Sequence, residues 1–201
     1  FFKKLRAIIL ILIFYQTTSY SKSVSFNDFS SRNVSKYFSG IIAQENNQNV
    51  EALNFFNSSK ILIDKHEPYL KKYIYSLVLE NKISEAINIL KRNKKRKNSN
   101  FFDAHLILLI DNLKKNDFNK AHSQLMELSN FANQDRLNLA ILESLKQYIY
   151  VFKEKKILVK KKDFGKLSNI SETFQRCYLG DKLTDEYFSN LFNDTEGDYT
   201  R

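Results

Sequence analysis

Apolar residues recur along most of this 201-residue chain at the three- and four-residue spacing of helices. The clearest stretch runs from Asn49 to about Ile63 and holds Ala52 and Phe56 on one face. A small residue at Ala52 lets a second helix approach closely, and Phe56, one turn later, fills the space beside it. Pro68 then fits the first turn of a new helix, where its missing N–H has no partner to lose. The pattern predicts two consecutive helices here.

The same spacing predicts helices along the rest of the chain, with short polar turns between them. Asn49, Ser84 and Asp117 are suitable N-caps, as is Thr184 or its neighbour Asp185. Gly40 lies inside the first helix, where glycine costs about 1 kcal/mol, so we expect a helix packed closely against it at Ala52. The predicted helices cover about 34–45, 49–63, 68–79, 84–90, 100–115, 117–128, 137–152, 163–178 and a last one from about 184.

Small residues on the second helix of each pair recur at a fixed interval. Ala52, Ala86 and Ala121 are 34 and 35 residues apart. Each is followed one turn later by a large apolar residue, namely Phe56, Leu90 and Leu125. A helix–turn–helix period of this length is typical of a solenoid. Each helix pair leaves one apolar face uncovered, and stacked neighbours cover it.

With this register the chain resembles the tetratricopeptide repeat family. The matching residues are Gly40, Ala52, Phe56 and Pro68 in the first unit, Tyr73, Leu77, Ala86 and Leu90 in the second, and Leu108, Leu109, Ala121 and Leu125 in the third. The resemblance covers 34–133 well and continues weakly to 178, where Asp163 to Lys166 echoes Asp117 to Lys120. RNA-reading helical repeats of 35 residues share this period.

The division that we predict follows from the resemblance. Residues 1–23 form a signal peptide or N-terminal anchor and 24–33 a linker. Three repeats occupy 34–67, 68–99 and 100–133, an irregular fourth helical pair occupies 134–180, and 181–201 begins a further unit that the sequence cuts short.

The resemblance implies an all-α fold, a right-handed α-solenoid of antiparallel helix pairs, whose first helices line a concave groove that binds a protein or peptide. An apolar groove suits an amphipathic helix or an extended hydrophobic segment. Lys71 is the one candidate for a carboxylate clamp. The chain's own next helices are the alternative cover for these side chains. By register, the groove residues are Tyr37, Ile41, Gln44, Lys71, Tyr75, Val78, Leu106, Ile110 and Leu113.

The first residues have the order of a secretory signal. Lys3, Lys4 and Arg6 precede the nine apolar residues 7–15, too few to span a bilayer, and polar residues follow. Ser19 and Ser21 suit a cleavage site. We expect export to the bacterial envelope, as a periplasmic protein or one held at the membrane through residues 5–15. An uncleaved anchor and a buried first helix are the alternatives.

The net charge of +10 raises the question of an anionic partner. The densest basic runs are 91–98 and 153–162, where Lys and Arg could contact phosphate. Abundant Lys, Asn, Ile and Phe together are also what AT-rich codons produce. The run 91–98 falls where two helical pairs join, whereas 153–162 encloses Ile157, Leu158 and Val159, so we expect part of it to continue in helix or to pack down. An exposed loop is therefore the favoured interpretation of 91–98, and a nucleic-acid-binding solenoid the alternative.

Residues for catalysis, cofactors or metals are not evident in the sequence. The single cysteine, Cys177, excludes an intramolecular disulfide, and we expect it to be a buried small apolar residue. His66, His105 and His122 share no ligand spacing, and no phosphate loop, nucleophile elbow or zinc motif occurs. The prediction is a non-enzymatic scaffold without a cofactor. The non-catalytic arm of an enzyme whose active domain lies beyond Arg201 is a further alternative.

Overall fold

The computed structural model describes residues 29–131 and 135–193, and every regular element within them is a helix. The predicted all-α class is confirmed for this part of the chain, whereas the predicted signal peptide lies outside it. Two short 3-10 turns, Lys60–Asp64 and Lys97–Ser99, lie between helices. The α-helices are α1 (Ser31–Glu45), α2 (Asn49–Asn57), α3 (Glu67–Leu79), α4 (Ile83–Asn93), α5 (Phe102–Lys114), α6 (Phe118–Ser129), α7 (Arg136–Glu154), α8 (Lys166–Leu179) and α9 (Thr184–Asn193).

Helix α2 is shorter than the apolar pattern predicts. It ends at Asn57 rather than near Ile63. The hydroxyl of Ser58 donates to the carbonyl of Asn54, and that of Ser59 to the carbonyl of Phe55. Such side-chain bonds compete with the helical backbone ladder. The chain therefore tightens into the 3-10 turn that follows.

The predicted starts of helices are right in part. Asp117 caps α6 by accepting a hydrogen bond from the backbone N–H of Lys120 at 3.1 Å, and Pro68 lies in the first turn of α3. Ser84 and Asn49 are not caps but lie inside the first turns of α4 and α2. The tight turns before these helices begin α2 one residue and α4 two residues earlier than the predicted caps would.

One turn recurs between the paired helices. Asn47, Asn81 and Asn116 have left-handed backbones, with φ of 58°, 56° and 56°. In each turn this residue donates its N–H to the carbonyl three residues before it. The next residue donates to the carbonyl five residues before itself, which completes the Schellman arrangement. The pairs α1–α2, α3–α4 and α5–α6 therefore share a single turn geometry, at intervals of 34 and 35 residues.

The same turn joins α8 to α9. Gly180 has φ of 65°, and it and Asp181 make the same two backbone hydrogen bonds. By this measure α8 is placed like the first helix of a pair. Helix α7 ends differently: it stops at Glu154, the next residue Lys155 has φ of 55°, and the 11 residues 155–165 lead to α8. We call Asn47, Asn81, Asn116 and Gly180 the turn residues.

The structure confirms that the recurring small residues lie where paired helices pack together. Ala52, Ala86 and Ala121 are completely buried. The sequence predicted close packing against Gly40 at Ala52. In the structure the nearest contact is Phe56, because a Cβ built on Gly40 would lie 2.9 Å from Cε1 of that ring. The ring of Phe56, rather than Ala52 itself, occupies the space beside the glycine.

The buried core changes character along the chain. Apolar side chains of α1 to α5 form one cluster, and side chains of α5 to α7 form a second. Between α7 and α8 the amide nitrogen of Gln175 donates to the amide oxygen of Gln147 at 3.0 Å, and the ring of Phe152 meets that of Tyr178 edge-on at 4.8 Å. No side chain of α9 is buried. Hydrophobic burial therefore stabilises the first three helix pairs more than the last one.

In the ranges 29–131 and 135–193, no helix combines the length and the hydropathy that a bilayer crossing requires.

Candidate protein-binding groove

A groove of about 690 Å³ runs across α1, α3 and α5, the first helices of three successive pairs. Its floor and walls are largely apolar. Tyr75, at 53% exposure, is its most accessible aromatic side chain. Five of the nine predicted groove residues line it, namely Gln44, Lys71, Tyr75, Val78 and Leu106.

The other four predicted residues lie elsewhere. Tyr37 is 5% exposed, packs its ring against Tyr69 and is not available to a partner. Burial raises the pKa of its hydroxyl. Ile41 and Leu113 are partly buried against the two apolar clusters. Ile110 is 44% exposed and lies outside the groove lining. The chain's own helices therefore cover part of the predicted set.

Several lining residues were not predicted. Ile107 is adjacent to the predicted Leu106, and Lys72 to Lys71, so a wider stripe on each helix would have included them. Phe101 belongs to the predicted helix 100–115 but comes immediately before α5, and the repeat register did not assign it to the groove. Glu45 and Asp103 complete the rim.

Ion pairs link neighbouring helices at the rim. Lys71 on α3 lies 3.5 Å from Asp103 on α5, and Lys72 lies 3.2 Å from Glu45 on α1. Exposed pairs of this kind contribute about 0–1 kcal/mol each. Each rim lysine faces a carboxylate, so these four residues carry no net charge. Lys71, the predicted clamp, already has a carboxylate partner within the chain.

Gln44 fixes the spacing of the first two units. It is 6% exposed, and its amide nitrogen donates to the hydroxyl of Ser76 at 2.8 Å and to the carbonyl of Lys72 at 3.3 Å. Both acceptors belong to α3. These two hydrogen bonds from one buried amide nitrogen orient the two helices. Its role in the groove is to position α3 rather than to present a free surface.

An apolar row extends beyond the groove along the first helices. The residue six positions before each turn residue is apolar in all four cases: Ile41, Tyr75, Ile110 and Phe174. The last three are 44–53% exposed. Phe174 was not predicted as part of this row, because its position becomes evident only when Gly180 is recognised as the equivalent of the turn residues Asn47, Asn81 and Asn116.

The basic runs are interleaved with acids. Lys91 and Lys115 both contact Asp111 at 2.7 Å, Arg96 pairs with Asp64, and Lys161 pairs with Glu172. Burial would raise the pKa of Asp111, but the hydrogen bonds from Lys115 and Lys91 outweigh it and hold that pKa below its usual value. These pairs reduce the positive charge that the runs present to a phosphate.

Side chains that could carry chemistry are dispersed. His105 contacts Asn100 through Nε2 at 2.7 Å and also contacts Gln124. In the described residues, no three His, Cys, Asp or Glu side chains are close enough to hold a metal ion. The prediction that Cys177 is buried was wrong, because this thiol is exposed on α8.

Comparisons with protein-family models, curated proteins and solved structures find no match to this chain.

Proposed function

We propose that this protein is a non-enzymatic helical-repeat scaffold of the tetratricopeptide type, a right-handed solenoid that holds a partner protein in the groove across α1, α3 and α5. The observation that carries the proposal is an apolar groove that leaves Tyr75 53% exposed on helices fixed by a repeated turn. Apolar grooves between helices are common recognition sites for protein segments.

The groove favours an apolar segment over a charged one. Its rim lysines are matched by Glu45 and Asp103, so a charged partner would have to break existing pairs. An amphipathic helix that inserts its apolar stripe beside Tyr75, Val78 and Leu106 keeps those pairs. Such binding depends only weakly on salt, in contrast to the binding of a nucleic acid.

The proposed location is the bacterial envelope. It rests on the basic residues and the short apolar run of 1–23, which precede the described helices. A partner would then be an envelope protein.

Site-specific photo-crosslinking tests the groove. A photoreactive phenylalanine analogue replaces Tyr75, and a matched analogue replaces Met126, which is 59% exposed on α6 and does not line the groove. In envelope extract we expect a discrete protein adduct from position 75 alone, which persists at high salt and after nuclease treatment. Ile110→Glu, in the adjoining row, should reduce it.

Three results would contradict the proposal. One is the absence of any adduct at position 75, and another is an equal adduct at position 126. The third is an adduct that nuclease removes, which would favour the nucleic-acid alternative.

A further inference from the structure

The connection between α7 and α8, residues 155–165, presents an aliphatic side chain to solvent. Val159 lies at a bend of this connection and is 91% exposed. The two residues before it, Ile157 and Leu158, are partly buried. One exposed aliphatic residue is ordinary by itself, so the groups around Val159 decide whether its position has a use.

Lysines flank this valine on both sides. Residues 155–162 read KKILVKKK, with five lysines and no acidic residue. Two of the lysines have partners on α8: Lys155 contacts the hydroxyl of Tyr178, and Lys161 pairs with Glu172. The other three are exposed, and no carboxylate among the described residues pairs with them: Lys156, Lys160 and Lys162. The valine therefore lies within a patch of positive charge that the fold neutralises only in part.

Contacts on each side of Val159 attach the connection to the helices. Before it, the ammonium group of Lys155 lies 4.7 Å from the ring centroid of Tyr178. After it, Lys161 pairs with a carboxylate of α8, and the backbone N–H of Lys162 donates to Oε1 of Glu143 on α7 at 3.3 Å. The five residues 156–160 between these contacts form a short projection, which carries the exposed valine and two lysines without a carboxylate partner. We call 156–160 the basic tip.

We propose that the basic tip docks on the surface of an anionic lipid bilayer. Val159 enters the boundary between headgroups and acyl chains, and Lys156 and Lys160 contact the lipid phosphates. Lysine side chains suit this place, because their stems lie along apolar material while the ammonium groups stay in the headgroup layer. Charge complementarity identifies the occupant: lysines without carboxylate partners attract an anionic surface, and an exposed aliphatic residue requires an apolar layer directly beneath it.

A nucleic acid provides the phosphates but not the apolar layer. Proteins that bind single strands stack the bases on aromatic side chains, and residues 155–162 contain no aromatic residue. The valine is thus the feature that favours a bilayer over a nucleic acid. None of the residues that line the groove takes part, so the contact does not depend on the function proposed for the groove.

A fluorescent probe at the tip tests the contact directly. Val159→Cys in a Cys177→Ser background gives the 201-residue chain a single thiol, which carries a polarity-sensitive fluorophore. We expect its emission to move to shorter wavelength on addition of vesicles made of equal amounts of phosphatidylglycerol and phosphatidylcholine, and not with phosphatidylcholine alone. Val50→Cys, at a position 56% exposed on α2, is the matched control and should show no change. The probe reports on the tip itself, whether or not residues 1–28 also contact the vesicle.

Substitution of the lysines tests the charge. Lys156→Gln together with Lys160→Gln should raise the lipid concentration that gives half of the fluorescence change about 25-fold, from about five-fold for each lysine at an anionic surface. Lys94→Gln together with Lys95→Gln removes the same charge from the exposed end of α4 and should change it by less than about two-fold, because charges beyond a Debye length are screened. Circular dichroism checks that every variant keeps its helices.

Four results would overturn the proposal. One is the absence of a spectral change at position 159 with the mixed vesicles, and another is an equal change with phosphatidylcholine alone or at position 50. The third is an equal effect of the two lysine pairs, which would show that net charge alone attracts the chain. The fourth is a change at position 159 that RNA produces and the mixed vesicles do not, which would favour the nucleic-acid alternative.

Discussion

Gly40 offers the sharpest test of how the first helix pair packs. A Cβ built on it would lie 2.9 Å from Cε1 of Phe56 and 3.1 Å from two further atoms of that ring. The ring is completely buried and has little room to move. Gly40→Ala gains about 1 kcal/mol of helix propensity, whereas overpacking a well-filled core costs about 1–3 kcal/mol. We expect overpacking to prevail, with a net loss of about 1 kcal/mol.

The same substitution should change sign when the ring is removed. In a Phe56→Leu background the overpacking disappears, and Gly40→Ala should then stabilise the protein by up to about 1 kcal/mol. Urea denaturation followed by circular dichroism measures both legs of this double-mutant cycle. Ser39→Ala, on the same helix, is the control and should raise the free energy of unfolding by a few tenths of a kcal/mol. Equal effects of Gly40→Ala in the two backgrounds would refute the packing argument.

Two further predictions concern an ion-pair cluster and a turn. Burial would raise the pKa of Asp111, but Lys115 and Lys91 hold it below its value in the unfolded chain. The ionised carboxylate therefore stabilises the fold fully at pH values above that unfolded pKa, and this stabilisation is lost as the pH falls through the folded pKa. Asp111→Asn should therefore lower the free energy of unfolding by about 1–2 kcal/mol at neutral pH. The urea midpoints of the unsubstituted protein and of this variant should converge below about pH 4. A constant difference between the two midpoints at all pH values would argue against this explanation. The backbone of Asn81 is left-handed, with φ of 56°. Asn81→Gly should therefore be neutral or stabilising, whereas Asn81→Val should lower the free energy of unfolding by about 1–2 kcal/mol. Equal thermal midpoints for the two variants would contradict the left-handed turn.

The repeat was predictable because its determinants are local. A small residue four positions before a large one fixes how close two helices approach, and the Ala52 and Ala86 register was visible without coordinates. The turn before each was also visible as a polar break. Its left-handed asparagine was not identified, because asparagine occurs in this chain for many other reasons. Recognising that Gly180 takes the same place required the backbone angles.

What could not be predicted depends on neighbours distant in sequence. An apolar pattern tells which side of a helix turns inward, but not whether another helix arrives to cover it. Cys177, predicted to be buried, is exposed, whereas Tyr37, assigned to the groove, is covered by the ring of Tyr69. Helix α2 ended early because Ser58 and Ser59 bond back to the backbone, a competition that hydrophobic spacing does not record.

The glutamine contact between α7 and α8 gives the two parts of the chain different responses to temperature. Opening this glutamine joint wets the amides of Gln147 and Gln175, which lowers the heat capacity, together with the rings of Phe152 and Tyr178, which raises it, so the two changes oppose each other. Unfolding the apolar pairs α1 to α6 wets hydrocarbon and raises the heat capacity steeply. Cooling therefore weakens the first pairs, whose cohesion is hydrophobic, while it leaves the glutamine joint nearly unaffected.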